Sequence, residues 1–268
     1  MSAIVRRFRE LHKGATPLRL PNAWDAGSAR LFESLGAAAI ATTSAGVAWT
    51  LGYPDGRLLP VDEVIGVAAR LARILTVPLS IDIENGYSDD PGSVAKNVMR
   101  LVELGVAGIN IEDGRDAPTL LASKIDAIRD AVSAAGSDLF INARTDVFLA
   151  GLVEKPKLVE ESLRRATLYA NSGADGFFLP GVAQPRDIQA VVAGISLPLN
   201  AMVWPGLADA TELGLLGVRR LSAGSGIPQA LWRRAEGLAR AFLDSGRSDL
   251  LGEFSMPYSQ LQQLFPHG

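Results

Sequence analysis

Residues 79–84 read Leu79-Ser80-Ile81-Asp82-Ile83-Glu84, a short apolar run that ends in two carboxylates. Two later runs have the same form, Gly108-Ile109-Asn110-Ile111-Glu112-Asp113 and, with an added base, Phe140-Ile141-Asn142-Ala143-Arg144-Thr145-Asp146. In a strand, residues two apart share a face, so the polar side chains point one way and the isoleucines the other. The pattern predicts successive strands whose carboxyl ends gather negative charge in one place, and such a cluster needs a cation.

The same unit of strand and helix repeats along the whole chain. Apolar, β-rich runs occur at residues 18–20, 38–42, 77–83, 108–112, 139–143, 176–179, 197–202 and 219–222. Helical periodicity separates them at 27–34, 62–75, 91–104, 122–134, 158–171, 185–193, 208–215 and 229–242. A strand and a helix repeated eight times predict an α/β fold, a (β/α)8 TIM barrel, and a barrel of this type needs about 250 residues. We therefore expect one domain over residues 1–268.

An open doubly wound sheet is the alternative architecture. Its dinucleotide-binding version carries a G-x-G-x-x-G turn after the first strand. Here that position reads Pro21-Asn22-Ala23-Trp24-Asp25. The sequence therefore favours the barrel.

The composition excludes several classes of protein. The chain is 48% hydrophobic and 21% charged, without a bilayer-length apolar run or a signal-peptide pattern, so we expect a cytoplasmic protein that does not enter a membrane. Cysteine is absent, which excludes disulfides, thiolate metal sites and a cysteine nucleophile. With a net charge of −3 and no basic stripe, nucleic acid is not an expected partner.

Histidine chemistry is also not expected, because the two histidines are His12, near the amino terminus, and His267, near the end of the chain. Carboxylate oxygens and arginine remain for chemistry. Hard oxygen ligands with room for water suit Mg2+, with Mn2+ as a substitute.

Five motifs in order resemble the isocitrate lyase and phosphoenolpyruvate mutase superfamily. They are Asn22-Ala23-Trp24-Asp25, Thr42-Thr43-Ser44-Ala45-Gly46 leading to Gly52-Tyr53-Pro54-Asp55, Asp82-Ile83-Glu84-Asn85-Gly86-Tyr87, the run at 108–113, and Ala143-Arg144-Thr145-Asp146. The resemblance extends from about Leu18 to beyond Gly181. One pair of acids on a strand is weak evidence, but five motifs on the right strand ends are strong.

The resemblance implies a role for each matching position. Asp82 matches the acid that binds Mg2+ directly, whereas Glu84, Asp55 and Glu112 match acids that hold the ion largely through water. Arg144 matches the arginine that steadies a carboxylate or a developing oxyanion. The loop that receives the substrate carboxylate and keto oxygen matches Thr43, Ser44, Ala45 and Gly46.

Each candidate also has a purely structural interpretation. Asp82 and Glu84 fit an ion-paired barrel interior, but Arg144 is the one base that we expect at an inward strand position, which leaves the acids in excess. Asp55 lies in Pro-Asp-Gly, a common turn sequence.

The neighbours of these acids have structural interpretations as well. Glu112 is expected to point inward while Asp113 caps the following segment. The remaining candidates are Trp24, as pocket wall or core packing, Asn200, as ligand contact or structural hydrogen bond, and Tyr53, as a proton donor in competition with water.

The chain departs from the resembled superfamily at two places. The lyases carry a lysine-lysine-cysteine-glycine-histidine segment after the fourth strand, and here only residues 114–119 precede the next helix. The sixth-strand end, Leu179-Pro180-Gly181, lacks the histidine of some phosphonate-processing relatives. These differences predict an open site.

The chemistry that survives these changes is enolate stabilisation. We expect a Mg2+-dependent lyase that cleaves or decarboxylates a small 2-oxo or 2-hydroxy carboxylate resembling oxaloacetate. Phosphonopyruvate hydrolysis or phosphoenolpyruvate mutase chemistry is one alternative, and a non-catalytic protein that binds 2-oxo acids is the other.

The two ends of the chain predict additional helices. Residues 3–11 form a short amphipathic helix that we expect to cover part of the barrel. Large apolar groups continue after the eighth helix, in 252–258 and 261–265, and exposed apolar surface of this kind usually marks an interface. The resemblance implies a homo-oligomer, a dimer or tetramer, whose last helix is exchanged between neighbours.

Overall fold

The computed structural model describes residues 2–252 and 255–265. Helices follow most strands, and a short 3-10 helix lies at Lys155–Lys157. In chain order the elements are α1 (Ala3–Glu10), β1 (Leu18–Leu20), β2 (Asn22–Ala23), α2 (Ala26–Ser34), β3 (Ile40–Thr42), α3 (Ser44–Thr50), α4 (Val61–Ile74), β4 (Leu79–Asp82), α5 (Pro91–Glu103), β5 (Gly108–Glu112), α6 (Pro118–Ala134), β6 (Phe140–Arg144), α7 (Leu158–Asn171), β7 (Gly176–Phe178), α8 (Pro185–Gly194), β8 (Leu199–Met202), α9 (Ala210–Leu215), β9 (Arg220–Ser222), α10 (Gly226–Ser245), α11 (Asp249–Gly252) and α12 (Tyr258–Gln263).

The strands form one parallel sheet in the order β1-β9-β8-β7-β6-β5-β4-β3-β2. The two ends of this order are β1 and β2, which follow one another in the chain. β1 pairs with β9, and β2 pairs with β3. Pro21 separates the two pieces and has no backbone N–H to give to a ladder. The predicted (β/α)8 barrel is confirmed, with its first strand divided between two neighbours.

Asn22 holds the seam where the barrel closes. Its side-chain amide donates to the carbonyl of Thr42 at 2.8 Å, and its Oδ1 accepts from the backbone N–H of Gly224 at 2.9 Å. One buried side chain thus links the strand on one side of the seam to the loop that follows β9 on the other.

The outer helices pack one apolar face against the barrel. In α4 the buried residues are Val64, Val67, Ala68 and Leu71, and this spacing of three and four is that of a helix face. The predicted helix at 122–134 begins earlier, at Pro118, because proline suits the first position of a helix. The loop after β5 is therefore only residues 113–117, shorter than predicted. Helix α3 was not predicted. It contains Ser44, Ala45 and Gly46, which were expected in a loop, and Thr43 is its N-cap residue.

Helix α1 covers the amino-terminal end of the barrel, as predicted. Phe8 is fully buried and lies against β5 where Gly108 leaves room, since a Cβ there would come within 2.7 Å of the Phe8 ring. Arg9 pairs with Asp138 at 2.8 Å and with Asp175 at 2.5 Å. These contacts anchor the helix to the ends of the strands.

The carboxy-terminal helices pack differently. Among the 20 residues of α10 only Pro228 is buried, while Leu231, Trp232, Phe242 and Leu243 are exposed. Residues 253–254 and 266–268, including His267 and part of the predicted apolar tail, lie outside the described residues. In the described ranges, none of the helices has the length and apolar character needed to cross a membrane.

His12 gives a testable property of the amino-terminal cover. Its ring stacks on Phe140 at 4.3 Å between centroids, and its Nδ1 lies 2.8 Å from the carbonyl of Phe8. Burial, with the nearby charge of Arg220, lowers the pKa of His12 from 6.5 to about 3.

We expect the contribution of His12 to the free energy of unfolding to fall as the pH drops from about 7 to about 5, because the unfolded chain protonates His12 and the folded one does not. The slope due to His12 is at most about 1.4 kcal/mol per pH unit. Urea unfolding of wild type and His12→Gln measures it, and the variant should lose this part of the slope. Identical pH dependence of the two proteins would contradict the assignment.

Candidate active site

The predicted acids gather at the carboxyl-terminal end of the barrel. Asp82 is the last residue of β4, Glu112 is the last residue of β5, and Asp55 lies on the loop after α3. Beside them is a cavity of about 230 Å³. It is lined by the predicted residues Thr43, Ser44, Ala45, Asp55, Asp82 and Arg144, and also by Asn22, Asn110, Leu149, Phe178, Met202, Trp204, Ser222, Gly224 and Ser225.

Glu84 reaches the acid cluster by a different route from the one predicted. Strand β4 ends at Asp82, and Glu84 has a φ of +49°, so the alternation of a strand no longer sets its direction. Its side chain accepts a short hydrogen bond from the backbone N–H of Arg57 and one of 3.2 Å from the Tyr87 hydroxyl. A non-glycine residue with a left-handed backbone costs conformational energy, and it occurs here beside the candidate site.

The electrostatics of Asp82, Glu84 and Glu112 indicate a site for a cation. Burial, reinforced by Asp82, raises the pKa of Glu84 to about 7, and burial also raises the pKa of Glu112 to about 8, where Asp82 reinforces it and Arg144 opposes it. Burial likewise raises the pKa of Asp82, against the opposing charge of Arg144. Carboxylates that resist ionisation in this way are stabilised by a positive ion placed among them.

The donor set fits an ion that is held partly through water. Within residues 2–252 and 255–265, no three acidic or histidine side chains form a group that could hold a metal ion directly. Mg2+ usually keeps several waters and takes only one or two direct carboxylates, so a single direct ligand among buried acids suits it. Members of the superfamily that the sequence resembles use a divalent metal ion.

Arg144 is held rigidly at the mouth of the cavity. Its Nε and Nη2 donate to Asp146 at 2.8 and 3.2 Å, and its Nη1 lies 2.7 Å from Glu112. Burial opposes its charge, but Glu112 and Asp146 outweigh burial and raise the pKa of Arg144. Three of the five guanidinium N–H groups are used in these contacts, and two remain for a ligand.

Arg144 is not the only inward-facing base, and this corrects the expectation from sequence. Arg220, on β9, is fully buried and donates from Nη2 to Asn110 at 3.1 Å. Burial lowers the pKa of Arg220 to about 9, with Asp82 acting in the opposite direction, so it stays charged at neutral pH. In the alternation of β9, Arg220 and Ser222 share a face, and that is the signal that would have located it.

Besides Glu84 and Glu112, four of the predicted residues do not line the cavity. Trp24 packs edge-to-face on Phe32 with ring centroids 6.0 Å apart, which supports its core interpretation. Asn200 is buried and accepts from the Ser222 hydroxyl at 3.2 Å, which is the structural alternative. Gly46 lies in the first turn of α3, where a Cβ would meet the side chains of Thr43 and Trp24 at 2.8 Å.

Tyr53 is the fourth of these residues. It lines a neighbouring surface depression with Trp49 and Trp232 rather than the acid cavity. The chain turns there at Gly52, which has a φ of +81°, and it reaches the acid cavity again at Asp55.

Asp113 does not cap the following segment as expected. Helix α6 has no side-chain cap, and the carboxylate of Asp113 instead accepts from Arg165 at 2.8 Å and from the hydroxyl of Tyr169. Both partners lie on α7. Sequence reasoning missed them, because nothing local to Asp113 indicates which helix covers it.

The fold and the acid cluster define a (β/α)8-barrel enzyme of the isocitrate lyase and phosphoenolpyruvate mutase superfamily. The family model described as phosphoenolpyruvate phosphomutase matches residues 8–243. The chain therefore belongs to the phosphoenolpyruvate phosphomutase family, whose superfamily consists of lyases and mutases.

Individual relatives support this membership. An uncharacterised protein of Mycobacterium tuberculosis is 38% identical over 259 residues, which cover 95% of this chain and 94% of that protein. An oxaloacetate decarboxylase of Pseudomonas fluorescens is 33% identical over 84% of this chain and 80% of its own length. A solved structure from Burkholderia cenocepacia, provisionally described as a phosphonomutase, is 36% identical with a TM-score of 0.85, over 89% of this chain and all of that one.

The raised pKa values of Glu84 and Glu112 predict a stability that depends on pH. Both acids ionise more readily in the unfolded chain, so the metal-free protein should lose stability as the pH rises through about 7 and about 8. Thermal unfolding with a chelator measures the loss from about pH 6 to about pH 9. Glu112→Gln should flatten the curve, whereas Glu154→Gln, on an exposed loop, should not. A wild-type melting temperature that does not fall over this range would refute the electrostatic assignment.

Proposed function

We propose that this protein is a Mg2+-dependent carbon–carbon lyase that decarboxylates or cleaves a small 2-oxo or 2-hydroxy carboxylate such as oxaloacetate. The observation that carries the proposal is the geometry of the cavity, in which buried acids that need a cation face a preorganised arginine. A 2-oxo acid has one carboxylate and one keto oxygen that suit these two features. The likeness to the Pseudomonas fluorescens oxaloacetate decarboxylase supports the choice of substrate.

Asp82 is proposed to bind Mg2+, or Mn2+ in its place, directly, with Glu84, Asp55 and Glu112 acting through bound water. When bound, the ion supplies positive charge that stabilises an enolate. Thr43, Ser44 and Ala45 line the same cavity and donate hydroxyl and backbone N–H groups to the substrate from the start of α3, where Gly46 allows close packing behind them. Arg144 binds a substrate carboxylate with its two remaining N–H groups.

The cavity also has apolar lining residues. Leu149, Phe178, Met202 and Trp204 come from β7, β8 and the loops that follow β6 and β8. A carboxylate that leaves as neutral CO2 gains from such surroundings, because its charge passes with the bonding electron pair to the enolate as the bond breaks. The apolar lining therefore favours decarboxylation.

Water is proposed to protonate the enolate. The loop after β5 spans only residues 113–117, and an ion pair of 2.9 Å between Arg57 and Asp116 ties it to the loop after α3. Tyr53, the other candidate donor, lines a separate depression. Loss of CO2 does not need a proton at the moment of cleavage, so decarboxylation tolerates an open site better than reversible cleavage does.

Phosphonopyruvate hydrolysis is the second candidate. The likeness to the Burkholderia cenocepacia structure favours it. The absence of a histidine after β7, where Leu179-Pro180-Gly181 stands, weighs against it. Release of inorganic phosphate from phosphonopyruvate distinguishes this activity from carbon–carbon cleavage.

We also propose that the protein is a cytoplasmic homo-oligomer, a dimer or tetramer, in which α10 packs on a neighbouring copy. The exposed apolar residues of α10 support this arrangement, since they have no cover within the described part of one chain.

The function is tested by a screen of 2-oxo acids, with Mg2+ or with chelator, for pyruvate and CO2 formation above the spontaneous rate. We expect Mg2+-dependent turnover of oxaloacetate or a close analogue. Asp82→Ala should abolish both turnover and calorimetric Mg2+ binding, because it removes the direct ligand. Asp130→Ala, an exposed acid on α6, is the matched control and should behave like wild type.

Unchanged Mg2+ affinity in Asp82→Ala would refute the metal assignment. Stoichiometric Mg2+ and 2-oxo acid binding without any turnover would instead identify a non-catalytic binding protein.

A further inference from the structure

A buried polar cluster lies behind Arg144, and the proposed mechanism does not use it. Its centre is Asp113, whose side chain is fully buried directly after Glu112. Oδ2 of Asp113 accepts from Arg165 at 2.8 Å and from the Tyr169 hydroxyl. Arg165 and Tyr169 are four residues apart on α7, so they share one face of that helix.

The other oxygen of Asp113 connects to the loop that carries Asp146. Oδ1 accepts from the backbone N–H of Asp146 at 3.2 Å, and the backbone N–H of Asp113 donates to the carbonyl of Arg144 at 3.2 Å. Asp113 therefore bonds to the chain on both sides of Thr145. Asp113 thereby fixes residues 144–146 to the end of β5, next to the strand pairing of Glu112 with Arg144.

The fixed backbone orients the side chain of Asp146. That carboxylate takes two N–H groups of Arg144 on one side, while Glu112 takes a third at 2.7 Å. The series of contacts starts at Asp113 and returns to its neighbour Glu112. A closed ring of this kind leaves the guanidinium few orientations.

We propose that Asp113, braced by Arg165 and Tyr169, is a positioning residue that sets the direction in which Arg144 presents its free N–H groups to a substrate carboxylate. The proposal rests on the proposed function to the extent that Arg144 binds that carboxylate. None of the three brace residues lines the cavity, so their effect passes through Asp146. A binding group held by a second layer of hydrogen bonds loses less entropy when the ligand arrives.

The opposite end of the barrel offers a matched control. Asp138 precedes β6 and is also a largely buried carboxylate, bonded to Arg9 at 2.8 and 3.2 Å and close to Arg129. Asp138→Asn removes the same kind of ion pair from the scaffold. It should lower stability without reaching Arg144.

The test compares wild type, Asp113→Asn, Tyr169→Phe and Asp138→Asn. The probe is oxalate, a planar dianion that resembles the enolate of a 2-oxo acid, titrated calorimetrically at saturating Mg2+, with thermal unfolding of each protein alongside. Asp113 accepts hydrogen bonds through both of its carboxylate oxygens, but asparagine has only one acceptor oxygen and its NH2 group is a donor. The variant therefore loses the contact with Asp146 or the contact with α7.

We expect the Kd for oxalate to rise about 10- to 100-fold in Asp113→Asn and about 3- to 10-fold in Tyr169→Phe. Mg2+ affinity in the absence of oxalate should stay within about twofold of wild type. Asp138→Asn should bind oxalate like wild type although its melting temperature falls.

Wild-type oxalate affinity in Asp113→Asn and Tyr169→Phe would overturn the proposal, as would equal losses in all three variants. If Asp113→Asn does not fold, Tyr169→Phe against Asp138→Asn decides the question. Failure of the proposed function would give a different result. Wild type would bind oxalate with Mg2+ and the brace variants would bind it more weakly, but no 2-oxo acid would be turned over. A wild type that does not bind oxalate with Mg2+ would overturn the brace proposal.

Discussion

Arg144 lies between Glu112 and Asp146 at the mouth of the barrel, and the arrangement of the site depends on this buried ion-pair cluster. Parallel strands bring their carboxyl ends to one rim, so acids at the ends of β4 and β5 meet the arginine at the end of β6. Arg144 and Arg220 do not neutralise all of the acids around them. Burial, reinforced by the charge of Asp82, raises the pKa values of Glu84 and Glu112 and makes a divalent cation the natural partner of the cavity.

Around this rim, hydrogen bonds hold the segment after β6 and the seam of the barrel, whereas the loop after β5 is short. Asp113 and α7 hold the segment after β6, and Asn22 holds the seam of the barrel. The loop after β5 is reduced to five residues, 113–117, so a long mobile segment is not available there to close the site. A preorganised arginine beside an uncovered cavity suits a reaction that ends in an irreversible loss of CO2, because protonation of the enolate then needs no dedicated acid.

Much of this was predictable, because strand alternation and motif order are local signals. The barrel and the acid-bearing strand ends follow directly from residues 79–84 and 108–113. Other features depend on distant partners. Asp113 was expected to cap the following segment, but it bonds to Arg165 and Tyr169, which are 52 and 56 residues away in sequence.

The remaining differences have equally specific causes. Arg220 was overlooked because two adjacent arginines, Arg219 and Arg220, open the predicted strand, and only the one that shares a face with Ser222 points inward. Tyr53 was expected near the acids from its motif, but it lines a separate depression. Glu84 kept its place in the cluster although the strand that was expected to present it ends two residues earlier.

The most direct test of the central claim is a crystal structure with Mn2+ and oxalate, with the ion located by its anomalous scattering. The expected result is one ion bonded to Asp82 and linked through water to Asp55, Glu84 and Glu112. Oxalate should lie between the ion, residues Thr43 to Ala45 at the start of α3, and Arg144. An ion bound away from Asp82, or oxalate bound without contact to Arg144, would contradict the claim that this rim is a metal-dependent site for 2-oxo acids.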